Sequence, residues 1–186
     1  MQKLWKLSLR LDKAADLEHK HINDLSQLPE LTSLTITWIQ APSSSYRGAG
    51  SKSKRRKKSS KKHKKQENSS IGGQRFPGKL MKLDLRGYPR PSMPQWVTPS
   101  RVEKLEKLYI RGGNLANLNL DSHPDNQWAV KILRLKFLAN CEVEWLDLRH
   151  HFPSLVYLEK FQCPKLKFFP CDGYGVWMNP HAKEEK

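Results

Sequence analysis

Apolar residues return along this chain in one pattern, L-x-x-L-x-L. It stands at Leu4/Leu7/Leu9, Leu31/Leu34/Ile36, Leu80/Leu83/Leu85, Leu105/Leu108/Ile110 and Val130/Leu133/Leu135, and incompletely at Leu155/Leu158. The first positions are therefore 4, 31, 80, 105, 130 and 155, and the last three steps are each 25 residues. Inside each unit the apolar residues alternate with polar ones at period two, which predicts a short strand with one buried face. Recurrence by chance in a leucine-rich chain is the alternative, and three equal steps in succession argue against it.

A period of about 20–29 residues with this signature predicts a leucine-rich-repeat solenoid, in which each unit supplies a strand and a return segment and buries its leucines only by stacking on its neighbours. The expected fold is α/β: a solenoid of about six repeats over residues 1–180, with a parallel concave β-sheet, an irregular or short-helical convex side and a polar tail at 181–186. Leu108 and Ile110 then point inward, while Tyr109 and Arg111 face the concave side.

Between the strands the signals are weaker. Leu17, Ile22, Leu25 and Leu28 line one side of a short helix or turn that Pro29 ends. Pro89, Pro91, Pro94 and Pro99 favour an extended return segment over a helix. Leu115, Leu118 and Leu120 continue the inward ladder after Ile110, and Val143, Leu146 and Leu148 do so after Leu135. Lys160 stands where an apolar residue is expected, which predicts an edge strand whose lysine reaches water. The first strand opens at Leu4 without a polar capping element, so an upstream segment is expected.

The net charge is +16. Ser43 to Arg75 holds twelve Lys/Arg and one Glu, or +11, leaving only +5 for the rest. This Lys/Arg/Ser-rich stretch repels itself and has nothing to bury, which predicts a disordered insertion over 43–75. It also accounts for the one long step, 49 residues from Leu31 to Leu80. Lys54, Arg55, Arg56, Lys57, Lys58, Lys61, Lys62, Lys64 and Lys65 have the density of a nuclear-localisation signal, and a solvated linker reads equally well. Nucleic-acid binding through it would be non-specific, because no aromatic residue lies between Tyr46 and Phe76 to stack on bases.

No run of about 18 apolar residues exists, so no membrane span is expected. Cys141, Cys163 and Cys171 are too few for a disulfide framework, which points to a reducing, cytoplasmic location, with the nucleus as the alternative.

Catalytic chemistry finds little support. Gly73-Gln74-Arg75-Phe76-Pro77-Gly78-Lys79 matches G-x-x-x-x-G-K, but Leu80 stands where Ser or Thr must hold magnesium, and a strand follows where the anion needs a helix N-terminus. His150, His151, Cys163 and Cys171 match no compact zinc spacing. No nucleophile elbow and no catalytic carboxylate pair is present, so the chain is read as a non-enzyme with no cofactor of its own.

Met93-Pro94-Gln95-Trp96-Val97, Leu108-Tyr109-Ile110-Arg111-Gly112-Gly113-Asn114-Leu115 and Cys163-Pro164-Lys165-Leu166 ending in Phe169-Pro170 resemble the repeat domain of plant intracellular disease-resistance proteins of the coiled-coil, nucleotide-binding, leucine-rich-repeat type. The resemblance covers the chain except the basic insertion. It implies a role in innate immunity, where the repeats restrain a nucleotide switch and help to sense pathogen effectors. A relative of full length would bind ADP or ATP upstream; this chain departs from the family in lacking that region.

Read as columns across stacked repeats, the outward positions are basic. Arg10, Thr37, Arg86, Arg111 and Lys136 form one column, and Lys6, Ser33, Lys82 and Lys107 another. With Tyr109 and Arg134, the cations Arg10, Lys82, Arg86, Lys107, Arg111 and Lys136 make the candidate protein-binding face. Crowded like charges attract an acidic partner, read as an acidic protein surface on an upstream nucleotide-binding domain or a pathogen effector. A merely solvated basic face is the alternative, since Asp84, Glu106 and Glu159 partly neutralise it. So is a nuclear, polyanion-associated protein acting through the insertion.

Overall fold

The computed structural model describes residues 4–12, 19–39, 76–120 and 127–180. Its strands are β1 (Lys6–Asp12), β2 (Ser33–Ile39), β3 (Lys82–Tyr88), β4 (Lys107–Gly113), β5 (Ile132–Lys136), β6 (Tyr157–Phe161) and β7 (Val176–Met178). They form one seven-stranded sheet in chain order. β1 to β6 pair parallel, each with the next, and β7 joins β6 antiparallel. This is the parallel-strand solenoid that the period predicted.

The alignment of the strands is that of the repeat. Leu7, Leu34, Leu83, Leu108, Leu133 and Leu158 are successive register partners, as are Leu9, Ile36, Leu85, Ile110 and Leu135. From β2 onward these ladders are at most 1% exposed. Each such leucine removed from water contributes about 1.5–3 kcal/mol. A slip by one residue would turn the whole ladder outward, so burial fixes the register. In β1, Leu7, Leu9 and Leu11 are half-buried against the core and Trp5 is exposed.

Among the described residues the return segments are irregular apart from two short helices, α1 (His19–Ser26) and α2 (Trp145–His151). α1 stops before Pro29 and buries Leu25, with Leu28 against the core; Leu17 lies outside the described residues. The proline-rich return after β3 has no helix, and its Met93, Trp96 and Val97 are core residues. Trp96 stacks on Phe76 at 5.0 Å. The inward ladder holds at Leu115, Leu118, Leu120 and Leu148, with Val143 packed against it.

Leu146 breaks the expectation. It is 79% exposed, because α2 turns at 3.6 residues per turn where the sequence reading continued a period of two. β6 also is not the edge, since β7 covers its outer side. Lys160 does not run out to water from a free edge: its Nζ folds into the following turn and donates to the Leu166 carbonyl at 2.7 Å. A long, flexible side chain with three donors can meet the chain this way at an otherwise apolar position.

The phosphate-loop near-match runs into a strand rather than a helix. Gly73 to Arg75 lie outside the described residues, but Lys79 pairs with Glu30 at 2.7 Å and β3, a strand, follows. Cys141 and Cys163 are buried, and Cys163 Sγ donates to the Leu135 carbonyl at 3.3 Å. Burial pushes the Cys141 thiol up to about 12, with the neighbouring Cys163 adding to the rise. Near neutral pH Cys141 is then the unreactive thiol rather than the thiolate. A disulfide reagent added to native protein should label the half-buried Cys171 first and Cys141 last, and equal rates at all three would contradict this packing.

Candidate interaction surface

Because side chains alternate across a strand, the polar partners of the leucines share the open face of the sheet. The register makes them columns. Lys6, Ser33, Lys82, Lys107, Ile132 and Tyr157 form the first, and Ser8, Thr35, Asp84, Tyr109, Arg134 and Glu159 the second. The third is Arg10, Thr37, Arg86, Arg111, Lys136 and Phe161. Neighbouring strands lie about 4.8 Å apart, so six cations on β3 to β5 crowd one patch: Lys82, Arg86, Lys107, Arg111, Arg134 and Lys136. Arg10 stands apart on β1, exposed and two strands from Arg86.

Two carboxylates organise the patch. Asp84 is 1% exposed and accepts two bonds from Arg86 on the same strand, from Nε at 3.2 Å and from Nη2 at 2.8 Å. Arg111 Nε approaches its other oxygen at 3.5 Å. Asp84 therefore holds the Arg86 guanidinium further up than usual, first by the hydrogen bond and then by charge. Glu159 forms the second cluster, with Arg134 at 3.1 Å and Lys136 at 2.5 Å. Glu106 pairs with Lys131 at 3.0 Å, beside the columns rather than within them.

Tyr109 lies at the centre. It does face the open side, with Lys82 and Arg134 each 4.8 Å from its ring centroid and Arg111 at 5.7 Å. Yet it is only 7% exposed, which the sequence reading of an open outward position did not anticipate. The long stems of its cationic neighbours cover the ring while their heads are drawn over its π face. Four of the six cations, Arg86, Arg111, Arg134 and Lys136, are ion-paired within the patch, and Lys107 is exposed. The surface is thus a net-positive lattice with its geometry largely preset.

Replacing Asp84 by alanine removes the acceptor that spaces Arg86 and Arg111. Because both guanidiniums are partly exposed and can rehydrate, the loss of stability should be about 1–3 kcal/mol. The denaturant midpoint measures it, and an unchanged midpoint would mean that Asp84 carries no structural share.

The sequence reading missed one part of this face. It ended the third column at Lys136, although Phe161 stands 25 residues on and is Lys136's register partner. Phe161 and Phe137 are about half exposed and pack edge to face at 5.4 Å. The nine candidate nuclear-localisation residues, Lys54 to Lys65, lie outside the described residues. No group of three or more His, Cys, Asp or Glu able to hold a metal ion occurs among the described residues. No helix among them is long and apolar enough to cross a membrane.

No protein-family model matches the chain. It is similar to a disease resistance RPP13-like protein 4 of Arabidopsis thaliana, 24% identical over 181 residues that cover 94% of this chain. The chain spans 19% of that relative's length.

Proposed function

We propose that this chain is a leucine-rich-repeat interaction module of the plant disease-resistance type, non-catalytic, whose open sheet face binds an acidic protein surface. The observation that carries the reading is the patch on β3 to β5, where six cations are aligned by the strand register and four of them share two carboxylates. A preset, net-positive array raises encounter rates with an acidic partner and suppresses basic ones. The similarity to a disease-resistance protein along nearly the whole chain supports a role in defence. The partner class that fits is an acidic face on an upstream nucleotide-binding region or on a pathogen effector.

Arg86→Glu, Arg111→Glu and Lys136→Glu together test it, in a pull-down against a candidate upstream region. Binding should fall at least about tenfold, since truncating partnered charges at an interface costs 2 kcal/mol or more. Undiminished binding by the folded triple variant would sink the reading. The other reading, a polyanion-associated protein acting through 43–75, rests on the density of lysines there. Because β2 and β3 pair directly, deleting residues 45–70 should shift the thermal midpoint by no more than a few degrees. If the basic run is the active part, the same deletion abolishes binding to heparin and its steep salt dependence.

A further inference from the structure

Four successive repeats turn the chain through the left-handed region one residue past the third column. The residues are Gly87 (φ 69°), Gly112 (φ 64°), Phe137 (φ 57°) and Gln162 (φ 51°). Glycine adopts this conformation freely, whereas a side chain brings its Cβ against the following carbonyl. A bulky aromatic is the least expected residue there. Nor is Phe137 held by burial, since it is 51% exposed.

What the position does achieve is to set the Phe137 ring against Phe161. Phe137 N–H donates to the Phe161 carbonyl at 2.8 Å, and the two rings meet at 81°. Phe161 is itself 46% exposed and ends the column Arg86, Arg111, Lys136. An apolar step therefore adjoins a row of cations at one strand spacing each. Half-exposed aromatics beside arginines are the composition of interface anchor points.

We infer that Phe137 and Phe161 form an apolar anchor site for an extended acidic peptide segment, whose carboxylates run along Lys136, Arg111 and Arg86. This rests on the acidic-partner reading above and specifies it. From Phe161 to Arg86 is three strand spacings, about 14 Å, which about four residues of extended chain span. The matching segment carries a leucine or phenylalanine followed by two or more acidic residues within the next four or so positions. A single-stranded nucleic acid also combines stacking with negative charge. The face favours a peptide, because Asp84 and Glu159 interrupt the cations and would repel a continuous phosphate backbone.

The test uses the full chain and two fluorescent synthetic peptides of about ten residues, identical and acidic except that one carries phenylalanine where the other carries serine. The phenylalanine peptide should bind at least about tenfold tighter. Phe137→Asn, which tolerates the left-handed backbone, and Phe161→Ser should each erase that difference. Should Phe137→Asn unfold, Phe161→Ser alone decides. If both peptides bind equally and the charge-reversed triple variant loses both, the anchor is overturned and the acidic-partner reading stands. If neither peptide binds, or an oligo-thymidylate binds more tightly than either, both are overturned.

Discussion

Leu108→Ala should lower the unfolding free energy by about 2–5 kcal/mol, the range for emptying a fully buried leucine site. Leu108 is 1% exposed, with Leu83 on one side and Leu133 on the other as register partners. Both neighbours are fixed by the same ladder, so the cavity has little room to collapse. Tyr109→Ala, one residue on, should cost only about 1–2 kcal/mol. Its ring is buried under flexible cations whose attraction is about 0.5–1 kcal/mol each where water still reaches them, and those side chains can close over the gap. Parallel denaturation curves decide the matter. Equal losses would mean that the ring packs as a core residue.

The second large effect lies in two adjacent glycines. Gly113→Ala should cost at least about 3 kcal/mol, by forced backbone movement as well as strain. Its φ is 93°, and an added Cβ would lie 2.2 Å from the Tyr88 carbonyl oxygen and 2.5 Å from the Tyr88 nitrogen. Those atoms belong to β3, paired with β4 at this point, so relief means parting the strands. Gly112→Ala should cost only about 1–2 kcal/mol, the penalty of the left-handed region alone. Nothing lies within 4 Å of a Cβ there. Phe137 and Gln162, which hold the equivalent position in later repeats, show that a Cβ can be carried. A melting temperature lowered as much by Gly112→Ala as by Gly113→Ala would contradict the close approach of β3 and β4.

Both contrasts rest on information of two kinds. The inward ladder, its register and the parallel order of β1 to β6 were legible in the leucine spacing. Period two assigns each side chain to a face, and a recurring L-x-x-L-x-L unit, 25 residues apart in the last three steps, stacks in register. The basic columns followed from the same arithmetic. Local pattern could not say how those columns resolve. Whether Asp84 also meets Arg111, and whether Tyr109 is roofed by Lys82 and Arg134, depends on rotamers chosen across strands that are distant in sequence.

The same limit explains Leu146, Lys160 and the Phe137–Phe161 pair. A seven-residue helix changes the period without an obvious start signal, as Glu144 makes no side-chain cap. β7 returns antiparallel over β6 from residues that carry no L-x-x-L-x-L pattern, so the last repeat read as an edge. Phe137 looks like one more apolar residue in the row. Only the backbone, turned left-handed where earlier repeats have glycine, brings its ring against Phe161. The spacing of side chains is a property of the chain and survives in the sequence, whereas charge pairing, capping and ring contact are set by distances through space between residues that the sequence keeps far apart.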